Sequence, residues 1–390
     1  MTSLDKLLQS AVDNGTAPGI VVIAKDKDGK VDYAKAFSRE GGTQYSLDTV
    51  LELTSMSKFP TAIAALQLVE KGLIGLDDDV SHLLPSLGKH GVLVSVAEDG
   101  TPTVRERKNP LTLRRLITHS AGVGYHFMDE NLGKVKAAQK GAPPGTSVDE
   151  SFDYPLLFEP GEGWAYGAGL DRVGQVVEKL SGLPLDEYMK KNMWEPLDVH
   201  NSTFFPAQNP DVDARRVAMA YRDDPDGPAV EKPEVPTMTA GLKVAYGGHG
   251  MFASMADYIK IVHSLLVDDE KLLKKETAAL MFEPQLTPAS KEQLGKFMES
   301  PVMKSFFPSP PTGNDRDYGL SGLLIVGDKH QYWRKGALMW GGAGSLNWFI
   351  DREAGVCGVF GAQVLPSDQR MRDLIDAFQT DVYRQAGKLK

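Results

Sequence analysis

Apolar positions along the chain change spacing several times, and each change predicts an element. Residues 3–14 form an amphipathic helical pattern that ends at Asn14-Gly15. Gly19-Ile20-Val21-Val22-Ile23-Ala24 is a strand-like run. Asp28-Gly29 supplies a hairpin turn, and residues 31–37 return as the partner strand. The short apolar stretch Asp48-Thr49-Val50-Leu51 precedes a helical pattern of Phe59, Ile63, Leu66, Leu68 and Val69, which runs to Lys71-Gly72. Residues 77–110 are rich in turns and charge. Helical spacing then dominates residues 111–197, most clearly over 170–180 and 185–193. Residues 206–240 are rich in Pro and Asp and predict loop, and two further helices are expected over 255–267 and 275–282. From Tyr318 the pattern turns strand-like, in YGLSGLLIV, SLNWFID and GVCGVFGAQV at hairpin spacing, before a last helix over 368–385.

Both ends of the chain are therefore mixed, and the middle is mostly helical. This predicts an α+β fold: an antiparallel sheet built from the N-terminal hairpin and the C-terminal strands, flanked by the first and last helices. The expected division is a sheet domain of residues 1–80 plus 235–390 and a mostly helical inserted domain of residues 81–234, with the active site at their interface. No internal repeat or low-complexity linker interrupts this plan.

A length of 390 residues supports a large core and two domains. A net charge of −9 argues against nucleic acid or anionic membrane as partner. The lone Cys357, in GVCGVF, has no intrachain partner and fits a buried strand position. The N-terminal segment carries no apolar signal core, and no stretch reaches the length of a membrane span, so the expected location is cytoplasmic.

The densest candidate chemistry is Ser55-Met56-Ser57-Lys58. Residues three apart share a helix face, so Lys58 is placed to take the Ser55 proton. A serine hydroxyl is a weak nucleophile until an adjacent base activates it, and a lysine serves as that base when its surroundings favour the neutral amine. The same spacing occurs at Ser3/Lys6 and Ser86/Lys89, but only Ser55 opens an apolar helix, with Pro60 in its first turn. The competing reading is that Ser55 is a helix N-cap.

Two later segments supply the remaining parts of such a site. Phe158-Glu159-Pro160-Gly161-Glu162-Gly163-Trp164-Ala165-Tyr166-Gly167-Ala168-Gly169 is an aromatic-glycine loop in front of a helix. Tyr166 is either a proton carrier beside Lys58 or a ring packed on Trp164. Met339-Trp340-Gly341-Gly342-Ala343-Gly344-Ser345 precedes a strand. Its glycines either admit a ligand to the backbone, where an N–H joins that of Ser55 as an oxyanion hole, or serve a plain turn.

In this order the segments resemble the serine β-lactamase and penicillin-binding superfamily. The match is closest to the branch holding class C β-lactamases, family VIII carboxylesterases and lovastatin-type acyltransferases. Pro18-Gly19-Ile20, Leu116-Ile117-Thr118-His119-Ser120-Ala121-Gly122, Gly247-Gly248-His249-Gly250-Met251-Phe252 with Asp257-Tyr258, and Trp333-Arg334-Lys335-Gly336 extend it over nearly the whole chain. The resemblance implies Ser55 as nucleophile, Lys58 as its base, Tyr166 as the tyrosine that shares the proton, and the N–H groups of Ser55 and Ala343 as the oxyanion hole. It also implies a substrate wall at Tyr125, Trp340, Gly341, Gly342 and Trp348. Two departures are informative. Trp340-Gly341-Gly342 stands where β-lactamases carry a Lys-Thr-Gly type triad, and Ala168 stands where class C enzymes have an asparagine. Both remove polar recognition of a β-lactam.

The leading expectation is a serine esterase or acyltransferase acting on small esters or thioesters. Its partners would be an alcohol acceptor and, on the donor side, an acyl-carrier protein. The alternative is a β-lactamase or D-alanyl peptidase-like hydrolase. No G-x-S-x-G elbow occurs, which argues against an α/β-hydrolase, although His119 keeps a Ser-His-Asp triad open. No metal or cofactor is implied, since neither H-E-x-x-H nor paired cysteines are present. A non-catalytic binding protein on the same fold is disfavoured by the presence of Ser55, Lys58 and Tyr166.

Overall fold

The computed structural model of the protein describes residues 1–139, 146–300, 303 and 315–389. Residues 140–145, inside the stretch read as helical, lie outside the described residues. Helix α1 (Ser3–Asp13) starts at a Thr2/Asp5 capping box, in which each residue closes an open backbone donor of the other. Asp5 also accepts from Tyr33 at 2.7 Å and pairs with Lys35 at 2.5 Å, which fastens the helix to the adjacent hairpin. That hairpin is β1 (Gly19–Asp26) and β2 (Asp32–Ser38), as the sequence predicts.

After α2 (Lys58–Glu70), α3 (Gly169–Ser181) and α4 (Met255–Val267), the chain forms β3 (Arg316–Gly319), β4 (Gly322–Ile325), β5 (Leu338–Gly342), β6 (Leu346–Asp351) and β7 (Val356–Gly361). It ends in α5 (Gln369–Gln385). These strands make one seven-stranded sheet in the order β3-β4-β5-β6-β7-β1-β2, with every pair antiparallel. The two chain ends meet at the β1/β7 ladder, where Val21 pairs with Gly361 and Ile23 with Val359.

The sheet is covered on both faces over β1 and β3–β7, which are almost wholly buried, whereas the edge strand β2 mixes exposed and buried positions. A Cβ at Gly358 would strike Phe349 and Phe378, the latter on α5, whereas one at Gly361 would strike Met255 at the start of α4. Positions 358 and 361 point to opposite sides of a pleated strand, so α5 and α4 lie on opposite faces. Helix α2 is buried from Lys58 through Leu68, as expected of a helix apolar all round.

Several expectations need refinement. Residues 92–96 and 102–105 form a two-stranded hairpin inside the stretch read only as turns and charge. The helix expected over 185–193 changes to a π-helical turn at Lys190–Trp194. The strand expected over YGLSGLLIV is a tight hairpin, β3 and β4, which turns at Ser321 with a positive φ of 78°. A helix at Pro288–Met298 has an N-cap at Thr287 that the sequence reading passed over.

Trp348 corrects the predicted substrate wall. It pairs with Trp340 across β5/β6, is fully buried, and stacks on Phe59 of α2 with ring centroids 4.0 Å apart. It is a packing residue between the sheet and α2. Trp348→Ala should therefore remove about 3–5 kcal/mol of stability, the usual cost of deleting a large buried ring. Guanidinium unfolding measures this, and a variant of unchanged stability with a raised ester KM would restore Trp348 to the substrate wall.

Candidate active site

Ser55 sits one turn ahead of α2, in a 3₁₀ turn over Thr54–Ser57. In a 3₁₀ turn, side chains at i and i+3 eclipse one another. Lys58 Nζ accordingly lies 3.2 Å from Ser55 Oγ. The N-cap reading of Ser55 does not hold, because neither this turn nor α2 is closed by a side-chain cap. Thr54 has a φ of +46°, a strained position for a β-branched residue, such as surrounding structure must enforce. Here Ser57 Oγ donates to the Thr54 carbonyl and accepts from Met251 N, while Tyr258 OH donates to the Met56 carbonyl at 2.8 Å.

Lys58 is 1% exposed, so its nitrogen depends on protein partners. It donates to the Gly248 carbonyl at 2.7 Å and lies 3.4 Å from Tyr125 OH. It also stands over the Tyr166 ring, 4.6 Å from the centroid. Behind these partners lies Asp171, fully buried on α3. It accepts from Gly248 N at 2.8 Å and from Tyr125 OH at 3.3 Å, and His249 Nδ1 is 3.3 Å away. Burial alone would push the Asp171 carboxyl up, but charge on His249 and Lys58 and the Gly248 N–H together hold it below the usual carboxylate value. Only glycine fits at 248, because a Cβ would come within 2.3 Å of Asp171 Oδ2.

The sequence reading missed Asp171 and the Gly248 carbonyl. Asp171 is spaced within α3 like any helical polar residue, and a backbone carbonyl leaves no mark in a sequence. Tyr125 was expected in the substrate wall. It does line the cavity, but its hydroxyl is also committed to Lys58 and Asp171.

Tyr166 OH accepts from Trp340 Nε1 at 3.1 Å, which ties the aromatic-glycine loop to β5. Its ring also lies parallel to Trp164, 6.3 Å away, so the packing role is real as well. The loop is anchored by Glu159, whose carboxylate accepts from Lys108 N at 2.6 Å, Asn109 N at 2.7 Å and Arg105 at 2.5 Å. His119, the candidate for a triad, is buried with both ring nitrogens unbonded and packs on Tyr166 and Trp164. Burial and the nearby Lys58 push its pKa well below the ordinary histidine value, and it makes no hydrogen bond to Ser55.

The glycines of β5 serve the chain itself. A Cβ at Gly342 would meet the Leu53 carbonyl at 2.4 Å and Thr54 Oγ1 at 2.5 Å, so glycine is what lets the strand close on the Ser55 turn. The neighbouring Ala343 N–H is donated to Thr54 Oγ1 at 2.7 Å. Ser55, Tyr125, Tyr166, Trp340, Gly341, Gly342 and Ala343 all line one cavity of about 430 Å³. Its remaining wall is mostly apolar, with Phe127, Met128, Phe152, Met238, Met303 and Leu346. Trp348 is absent from it. Among the described residues, no lysine or arginine lines this cavity.

A buried lysine amine 3.2 Å from a serine hydroxyl that lines an apolar cavity is an arrangement suited to serine hydrolases and acyltransferases. The chain belongs to the β-lactamase family, whose model matches residues 4–379. The lovastatin esterase of Penicillium rubens is 39% identical over 98% of this chain and 98% of its own length. The monacolin J acid methylbutanoyltransferase of Aspergillus terreus is 34% identical over 98% of this chain and 95% of its own. A mutant of simvastatin synthase from Aspergillus terreus superimposes with a TM-score of 0.90 at 34% identity, covering 98% of this chain and 94% of that one. The protein is accordingly an esterase or acyltransferase of the family, and the β-lactamase alternative is not favoured.

Glu159 gives a pH prediction. Burial works against its charge, but the Asn109 and Lys108 N–H groups and Arg105 prevail and hold it at about 2, below the ordinary glutamate value of 4.5. A carboxyl depressed on folding adds stability that is complete above its unfolded value and lost as pH falls through its folded one. Wild-type stability should thus fall between about pH 4.5 and pH 2, and Glu159→Gln should flatten that part of the curve. Urea midpoints at stepped pH measure this, and parallel curves for the two proteins would refute it.

Proposed function

We propose that Ser55, Lys58 and Tyr166 carry the reaction through an acyl-enzyme. Ser55 Oγ attacks the carbonyl of a small ester or thioester, and Lys58 takes the hydroxyl proton. The N–H groups of Ser55 and Ala343 receive the developing oxyanion, the substrate oxygen displacing Thr54 Oγ1 from Ala343. Collapse breaks the bond to the leaving alcohol or thiol, which departs with the proton relayed by Lys58 and Tyr166. Water or an alcohol then attacks the acyl-enzyme, returns its proton through the same pair, and frees Ser55. Tyr125, Trp340, Gly341 and Gly342 form the walls against which the acyl group rests.

The observation that carries this reading is the 3.2 Å contact of a buried Lys58 amine with Ser55 Oγ at the apolar cavity. The absence of a lining lysine or arginine among the described residues supports neutral, apolar acyl groups over substrates that need a carboxylate partner. The esterase and acyltransferase relatives support both outcomes of the second step, hydrolysis and transfer. The acyl donor is a small ester or thioester, free or held on an acyl-carrier protein. With a sheet domain of residues 1–80 plus 235–390 and a helical domain of residues 81–234, Ser55 and Trp340 belong to the first and Tyr125 and Tyr166 to the second, which supports a site at their interface.

Purified protein assayed on a short-chain p-nitrophenyl ester and on a chromogenic cephalosporin, with and without an added alcohol, tests the reading. Ester turnover should far exceed cephalosporin turnover, and an ester of the added alcohol should accumulate. Ser55→Ala should abolish turnover, and Lys58→Ala and Tyr166→Phe should each lower it by roughly 10²-fold or more, the scale of lost general-base catalysis. Ser3→Ala should leave it intact. Full activity in Ser55→Ala would overturn the assignment.

A further inference from the structure

The cavity has few polar side-chain atoms, and nearly all are already engaged. Ser55 Oγ is met by Lys58 and Thr54 Oγ1 by Ala343 N. Tyr125 OH is met by Asp171, and Tyr166 OH by Trp340 Nε1. Among the described side chains that line it, His249 is the one whose ring nitrogens make no hydrogen bond. Its ring lines the cavity and is 19% exposed, and Nδ1 makes an ion-pair contact with Asp171 Oδ1 at 3.3 Å, outside hydrogen-bond geometry. Tyr246 and Phe152 hold the ring edge-on at centroid distances of 5.2 and 6.3 Å. A fixed imidazole with hydrogen-bonding capacity unused, in a wall otherwise apolar or committed, is a built polar anchor.

Its position decides which half of the substrate it meets. The oxyanion donors belong to β5 and the Ser55 turn. His249 follows Gly248, whose carbonyl holds Lys58, and its ring contacts Asp171, which accepts from the Tyr125 hydroxyl beside that amine, so His249 belongs to the Lys58 end of the site rather than to the β5 end. Resting on the acyl-enzyme reading above, we propose that His249 determines specificity for the alcohol half of the ester. It donates a hydrogen bond from its cavity-side nitrogen to a hydroxyl on the alcohol that leaves or arrives, and Asp171 behind it keeps the imidazole positioned. A site built to bond a substrate hydroxyl discriminates against the analogue that lacks it.

The test uses the butyrate ester of cyclohexanol and the monobutyrates of the cyclohexanediols, which scan the hydroxyl position. Wild-type protein should favour at least one diol monoester over the cyclohexyl ester in KM, by roughly five- to tenfold, the scale of one net hydrogen bond. His249→Phe should erase that preference, and His249→Gln, which can still donate, should recover part of it. Thermal midpoints of both variants check that the fold is kept. A wild-type protein without any such preference overturns the proposal. So does a His249→Phe variant that keeps the preference while kcat falls equally on every ester, which would make the ring only a support for Gly248 and Lys58. Ser55→Ala assayed on the same esters separates the two readings, since its continued turnover would sink the acyl-enzyme mechanism whatever His249 does.

Discussion

The Lys58 amine is enclosed by protein on every side, and a nitrogen so enclosed must find its partners within the chain. That requirement organises the centre of the molecule. The Gly248 carbonyl, the Ser55 hydroxyl and the Tyr125 hydroxyl converge on it from three separate segments. Asp171 then holds two of those segments together, through Gly248 N and Tyr125 OH. Breaking such a buried network by removing one member leaves its neighbours unpaired, which costs more than the bond alone. The same enclosure keeps bulk water from the amine, so its contact with Ser55 is made in a medium where electrostatic interactions are strong.

Backbone geometry around the amine follows from the same need. The Ser55 turn is drawn tight enough to put Thr54 at a positive φ, and β5 closes onto it only because position 342 is glycine. The sheet provides the rigid side of this arrangement. Its β1/β7 ladder joins the chain ends, and Trp348 on β6 stacks against Phe59 on α2, which fixes the helix that carries Lys58. The apolar cavity is what remains between that rigid side and the aromatic-glycine loop of Tyr166.

Much of this was legible in the sequence. β1, α2, α4, the late strands and α5 announce themselves through apolar runs or helical spacing, because each buries a face or more in the fold, and the half-exposed β2 was legible through the Asp28-Gly29 turn before it. Ser55, Lys58 and Tyr166 were legible through spacing and order, and the structure puts Ser55 and Tyr166 on one cavity with the buried Lys58 amine against both. The hairpin at 92–96 and 102–105 was not, because most of its residues face solvent and its strands carry polar and charged positions. Trp348 was misplaced because alternation along a strand does not say which face meets a helix and which meets a cavity. Asp171, His249 and the Gly248 carbonyl act only through contacts between distant segments, and no local pattern encodes those.

The proposed chemistry depends on a covalent bond to one oxygen. The most direct measurement is to quench the protein during turnover of a slowly released p-nitrophenyl ester and map the acyl mass increment by peptide mass spectrometry. The increment should fall on the peptide containing Ser55, fragment to that residue, and vanish in Ser55→Ala. An acyl group mapped to any other residue, or turnover by Ser55→Ala at the wild-type rate, would contradict it.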